Sequence, residues 1–273
     1  MSFALLNPQL DIHSGALDFL AKTAAFKPKV EFELDLKNFV IKTASTAAEL
    51  REIISLRQHS FIEDFMGEEG AGYVDFDHYD LKADHIILKS KKTGEIVGSY
   101  RVMNSAFTDQ LFSSEQFDLS LFDRADGIKV ELGRAVIHKD HRNGLTLSLV
   151  WKGIAHYANL AGARYLCGCA STKTLSQRVA ESIYWHLYPT HSNDQFDIKV
   201  LPAYEHSNLF EPADLLPWEM VKEVIPPLLK SYIKAGSKIC SRPAYDRVFK
   251  CVDFFTVLDL KTMNSQYQEK YFG

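Results

Sequence analysis

A glutamate and an arginine three residues apart, Glu131 and Arg134, stand on a predicted strand, Val130-Glu131-Leu132-Gly133-Arg134-Ala135-Val136-Ile137. A polar turn follows, His141-Arg142-Asn143-Gly144-Leu145-Thr146, and opens a predicted helix. That turn has the chemistry to grip a phosphate, because the N–H groups at a helix start lie beside a guanidinium and glycine lets the backbone come close. Strict alternation puts Glu131 and Arg134 on opposite faces of the strand. A bulge at Gly133 would change that, bend the strand and expose backbone amides, which can pair with an extended amide-bearing arm such as pantetheine. The layout suits a site that grips a phosphate and moves an acyl group, although an ordinary strand-loop-helix joint is the plainer reading of the same residues.

A second set of charges lies upstream. Thr46-Ala47-Ala48-Glu49 is a capping box, and behind it Leu50, Ile53, Ile54, Arg57 and Phe61 share one helical face. Arg57 therefore faces inward, where a charge needs a carboxylate or an anionic substrate group beside it, unless it snorkels from the edge of the stripe. The acidic stretch from Glu63 to Asp84 contains Asp77-His78-Tyr79-Asp80, two carboxylates three apart that can share a cationic partner. His85-Ile86-Ile87-Leu88, a Lys91-Lys92-Thr93-Gly94 turn and Glu95 to Met103 read as a hairpin. Alternation on its second strand puts Arg101 on one face with Val97, Ser99 and Met103. Spacing alone leaves open whether Arg57, Arg101 and the aspartates meet.

These charges need a sizeable fold to hold them. The chain has 273 residues, is 46% hydrophobic and carries a net charge of −4, enough for one large domain or two small ones with a real core. The reading of domains is an N-terminal arm over 1–29, a main domain over 30–260 with a C-terminal lobe from about 201, and a tail over 261–273. With no block of Lys or Arg there is no footprint for nucleic acid. No apolar run reaches the roughly 20 residues that span a bilayer, and no signal peptide is read at the N-terminus. A cytoplasmic location is expected, with peripheral contact at the inner face of the membrane as an extension of it. The four cysteines read as reduced core residues. No metal is expected, since the histidines have no ligand-like spacing.

Taken in order, Glu131-Leu132-Gly133-Arg134, His141-Arg142-Asn143-Gly144, Trp151-Lys152-Gly153-Ile154 and Tyr165-Leu166-Cys167-Gly168-Cys169-Ala170-Ser171 resemble the ornithine N-acyltransferase and long-chain N-acyl amino acid synthase group. These have the Gcn5-related N-acyltransferase (GNAT) fold and are relatives of the acyl-homoserine-lactone synthases. Gly98-Ser99-Tyr100-Arg101, Pro226-Pro227-Leu228-Leu229, Pro243-Ala244-Tyr245-Asp246 and Asp253-Phe254-Phe255 are similar to further stretches of the group, so the resemblance runs from about Leu50 to Leu260. It implies an α+β fold, a mixed central sheet flanked by helices, with the N-terminal arm and a C-terminal helical and strand extension. It also implies roles: Glu131, Arg134 and Arg101 as catalytic; Arg57, Phe61, Asp77, Asp80 and Ser171 at the acceptor; Ala135, Val136, Arg142, Asn143, Gly144 and Thr146 at the donor phosphopantetheine. The chain departs from its relatives in two places. No tryptophan lies between Phe61 and Asp77, which disfavours lactone synthesis, and Gly144 comes two residues after Arg142 with Thr146 at the last small position, which disfavours ordinary acetyl-CoA recognition.

The expected reaction is direct transfer of a long acyl chain from acyl carrier protein, or CoA, to the α-amine of an amino acid such as ornithine, with no permanently bound cofactor. The product would be an N-acyl amino acid of the lyso-ornithine-lipid type. Glu131 is the candidate base and a backbone N–H near Arg134 to Ala135 the oxyanion donor. Arg101 and Arg57 could hold the acceptor carboxylate, while Asp77 and Asp80 either order those arginines or bind a cationic acceptor side chain. Two alternatives stay open: an acetyl-CoA-dependent enzyme on a small amine, and a non-catalytic acyl- or carrier-binding or membrane-active protein.

Overall fold

A computed structural model describes residues 21–61, 75–207 and 210–273. In chain order the strands are β1 (Glu33–Asp35), β2 (Phe39–Thr43), β3 (Asp84–Ser90), β4 (Ile96–Asn104), β5 (Phe117–Asp118), β6 (Ile128–Ile137), β7 (Ala163–Thr172), β8 (Lys199–Val200), β9 (Lys238–Ile239), β10 (Ala244–Asp246) and β11 (Cys251–Asp259). The longer helices are α1 (Ala47–Arg57), α2 (Ser120–Arg124), α3 (Gly144–Leu160), α4 (Gln177–His191), α5 (Trp218–Val224) and α6 (Pro227–Ala235). The chain packs into two compact units: the first holds the described residues up to Thr108 with Leu132–Ala161, and the second holds Asp109–Glu131 with Gly162–Tyr271. The two units divide within β6, between Glu131 and Leu132. Among the described residues no helix is long and apolar enough to cross a membrane.

In the first unit the strand order is β1-β2-β3-β4-β6. Helix α1 starts where the capping box puts it: Thr46 Oγ1 accepts from Glu49 N at 3.1 Å, and Glu49 Oε2 accepts from Ser45 N at 2.8 Å. Its buried face is Leu50, Ile53, Ile54 and Arg57, packed with Ala44, Phe26, Ile87 and Ile96 in one apolar cluster; Phe61, beyond the helix, is half-buried. The expected hairpin is β3 and β4, in antiparallel register with His85 opposite Arg101 and Ile87 opposite Ser99. Helix α3 is capped by Asn143, whose Oδ1 accepts from Thr146 N at 3.0 Å. It comes so close to the sheet that a Cβ on Gly153 would lie 2.6 Å from Ile41, so a side chain there would push the helix off β2.

The second unit has strand order β6-β7-β11-β10, with β9 also on β11. Its β6 half pairs parallel to β7 and β7 pairs antiparallel to β11, which makes the sheet mixed and the class α+β, as the sequence led one to expect. Phe122 stands 5.5 Å from Tyr165 and 4.9 Å from Phe196, ring to ring, and seals the core under β7. Helix α6 begins with Pro227 and ends at Gly236, whose φ of +107° suits a glycine stop.

Candidate active site

The first unit builds a buried ionic network out of three arginines and three aspartates. Arg57, 0% exposed, reaches Asp75 through Nε at 2.7 Å and Asp80 through Nη1 at 2.6 Å, and Nη2 donates to the Asp75 carbonyl at 2.9 Å. Arg101 Nη1 donates to Asp77 at 2.8 Å and lies 3.5 Å from Asp80. Arg134 Nε donates to Asp75 Oδ1 at 3.0 Å, and its Nη2 is 3.6 Å from Asp77. Three positive and three negative charges balance, which is what lets so many ions leave water together. Burial alone would raise the carboxyl of Asp80, but the Arg57 and Arg101 guanidiniums overcome it and hold the group well below the usual carboxylate range; Arg57 and Arg134 do the same for Asp75. His85 stacks its Nε2 against the Asp80 carbonyl at 3.0 Å. Burial, with the Arg57 charge added and Asp80 only partly compensating, pushes it down to about 4, so it is neutral near pH 7.

This network brings together residues singled out in the sequence. Arg57 and Asp80, expected at the acceptor, are at 0% side-chain exposure, and Asp80 and Asp77 each accept from these arginines. The open rim consists of Arg134 at 14% and Asp77 at 17%. Asp75 bridges Arg57 to Arg134 and was not singled out by sequence reasoning. Its signal was faint: one more acid in an acidic run, distinguished only by the tertiary fold.

The kink in β6 is also displaced from expectation. The residue with left-handed backbone is Arg134, φ 48°, and not Gly133. An L-residue there costs roughly 1–3 kcal/mol. The ion pair to Asp75 holds the side chain in place. Beyond it, Arg142 Nε folds back to donate to the Ile137 carbonyl at 2.9 Å. Arg142, Asn143 and Gly144 are exposed at the start of α3 while Thr146 is buried under the cap.

Glu131 belongs to the second unit. Its carboxylate accepts from Phe112 N at 2.6 Å and Ser113 N at 2.8 Å, and from the Ser113 hydroxyl. From Ser113 a polar string continues: Ser113 Oγ to Cys169 Sγ at 3.2 Å, Cys169 Sγ to Gln116 Oε1 at 4.0 Å, Gln116 Nε2 to Asp253 at 2.9 Å. It ends at the exposed Ser171, whose Oγ donates to Asp253 Oδ1 at 2.5 Å. Asp246 joins through Gln116 Nε2 at 3.5 Å. Asp246, Cys251 and Asp253, all buried, bring one donor atom each within 4.8 Å of the others. As a metal set they fit poorly, because burial, then Asp253 and Asp246, push the Cys251 thiol up and a thiol binds metal as thiolate, while Asp246 Oδ1 already caps a turn through Val248 N and Phe249 N. Burial likewise pushes up the Cys169 thiol, with Asp253 adding to it, so it is no ready nucleophile.

Residues 56–152 match the acetyltransferase (GNAT) domain, a stretch that includes the whole ionic network, Glu131 and the turn at Arg142. Over most of its length the chain is similar to the L-ornithine N(alpha)-acyltransferase of Brucella abortus, 24% identical over 251 residues that cover 85% of this chain and 88% of that protein. It is 25% identical over 257 residues to the protein of the same name from Rhodobacter capsulatus, covering 86% and 95%. Among solved structures, FeeM, an N-acyl amino acid synthase from uncultured soil microbes, superposes with a TM-score of 0.50 at 9% identity, covering 85% of this chain and 96% of that one. At that identity the likeness speaks for the fold. The match of residues 56–152 to the GNAT domain agrees with the resemblance read from the motifs.

Proposed function

We propose that this GNAT-domain chain is an amino acid N-acyltransferase that moves a long-chain acyl group from an acyl carrier protein thioester to the α-amine of ornithine or a similar basic amino acid. The observation that carries the reading is similarity over 85–86% of the chain to relatives named L-ornithine N(alpha)-acyltransferase. The donor's phosphopantetheine arm lies along β6 at Ala135 and Val136, with its phosphate at Arg142, Asn143, Gly144 and Thr146. An ammonium has no lone pair to attack with, so Glu131 takes its proton, through a water where the two do not meet. The Phe112 and Ser113 donors fix that carboxylate in one orientation. A backbone N–H after the Arg134 kink receives the oxyanion. The amine nitrogen bonds to the thioester carbon, the tetrahedral adduct collapses, and the pantetheine thiol leaves with a proton. Arg134, at the rim of the network and aimed by Asp75 and Asp77, holds the acceptor carboxylate. The reaction is a cytoplasmic one, where acyl carrier protein is at hand, and the product is an amphiphile with one acyl tail.

The test is a mass-spectrometric screen of purified protein with palmitoyl acyl carrier protein, palmitoyl-CoA or acetyl-CoA, each with the common amino acids plus ornithine and homoserine. A long-chain N-acyl product that vanishes with Glu131→Gln is expected. Acetylation in place of it would give the protein a small-acyl role, and absence of any product would leave a binding function.

A further inference from the structure

Two oxygens flank the half-buried sulfur of Cys169 on β7: Ser113 Oγ at 3.2 Å and Gln116 Oε1 at 4.0 Å. Gln116 Nε2 donates to Asp253 at 2.9 Å, so the amide is turned with its oxygen, an acceptor, toward the sulfur. Ser113 has one hydroxyl proton, and the Glu131 carboxylate takes it, since an ionised carboxylate accepts and cannot donate. That proton is therefore spent before the sulfur is reached. The contact between Sγ and Oγ is made by the thiol proton instead. Burial, with Asp253 adding to it, pushes the Cys169 thiol up, so the proton is in place near pH 7.

The string then runs one way, from the Cys169 S–H to Ser113 Oγ and from the Ser113 O–H to Glu131 Oε1. A hydroxyl that accepts one hydrogen bond donates a stronger one. Ser113 is 0% exposed, so bulk water does not replace the thiol as donor to it. Glu131 Oε1 also accepts from Ser113 N at 2.8 Å, and Oε2 accepts from Phe112 N at 2.6 Å. The other ionisable groups about Glu131 in the second unit are Cys167, its register partner on β7, and Lys129, on the same face of β6, with Asp253 of β11 beyond Cys169. Burial pushes the Cys167 thiol up as well, and Lys129 Nζ donates to the carbonyls of Asp123 and Ala125.

We infer that Cys169 is a positioning residue, whose thiol locks the Ser113 hydroxyl into donating to the Glu131 carboxylate. The inference rests on the proposed role of Glu131 as base for its purpose: a carboxylate held by a hydroxyl and backbone amides stays ionised and keeps one orientation, as a base must. Because a carboxyl is titrated without turnover, the two readings fail separately.

The experiment is a pH titration of the Glu131 carboxyl in the full chain, read by carbon-13 NMR of glutamate-labelled protein, with the resonance assigned by its loss in Glu131→Gln. Ser113→Ala should raise the midpoint by about one pH unit or more, the worth of a hydrogen bond to a charged group. Cys169→Ala should raise it by roughly 0.2–0.5 of a unit, and Cys169→Ser, which keeps a donor, should restore most of that. In the Ser113→Ala background Cys169→Ala should add nothing, since the thiol acts through the hydroxyl. The acidic limb of kcat for long-chain transfer should follow the same midpoints. A Cys169→Ala midpoint equal to the parent's would overturn the inference; so would a shift that Cys169→Ser does not restore, or one that persists without the Ser113 hydroxyl. Full kcat in Glu131→Gln would remove the base and leave the titration to decide the positioning.

Discussion

The ionic network around Arg57 and the polar string around Glu131 both bury carboxylates, but they do it with different partners. In the network each aspartate meets a guanidinium, and the only side chains with an outward rim are Arg134 and Asp77. In the string the carboxylates are held by backbone N–H, serine hydroxyls and the Gln116 amide. A buried ion pair is satisfied within itself, so it fixes geometry and resists substitution. Backbone N–H groups, hydroxyls and an amide orient a carboxylate without bringing a formal charge to it. The first arrangement suits a frame, and the second suits a place where a proton is taken or a cation is met.

The sharpest way to break the contrast is to remove one charge from each region. Arg57→Ala strands Asp75 and Asp80 without their main partner, and should cost about 3–5 kcal/mol of stability in denaturant unfolding, enough to unfold the protein. A well-folded, active Arg57→Ala variant would refute the network's structural role. Glu131→Gln keeps one acceptor oxygen but turns its amide N–H groups toward either Phe112 N or Ser113 N; it should cost about 1–3 kcal/mol of stability while kcat falls roughly 10²–10⁴-fold. A kcat within a few-fold of the parent would move the base elsewhere.

Smaller effects sharpen the same comparison. His85 has its pKa lowered to about 4 in the fold, below the ordinary value near 6.5, so the unfolded chain binds its proton first. Stability from keeping it neutral is full above about pH 6.5 and is lost as pH falls toward about 4, on the order of 3 kcal/mol by linkage. His85→Gln should flatten that part of the stability–pH curve, measured by unfolding at stepped pH. Thr46→Ala, which touches only the α1 cap, should lower stability by about 1 kcal/mol with kcat unaltered.

Much of the frame could be read before the structure. The capping box at Thr46, the inward face through Leu50, Ile53, Ile54 and Arg57, the β3–β4 hairpin and the Asn143-Gly144 start of α3 are local, because each depends on residues within one or two turns of the chain. The charged residues of the network could be named for the same reason, apart from Asp75. What eluded the sequence is pairing across distance. Asp75 lies 18 residues from Arg57 and 59 from Arg134, and no periodicity connects them. The unpaired-looking Glu131 turned out to be wrapped by the Phe112–Ser113 turn, and Ser171 to donate to Asp253, 82 residues away.

The sequence by itself determined which segments become strands and helices, which faces turn inward and which charges must find partners, since burial of an ion is intolerable without one. The tertiary structure alone decided who those partners are. It put the left-handed bend on Arg134 instead of the neighbouring glycine, with the guanidinium held by Asp75, a partner 59 residues away that no local propensity registers.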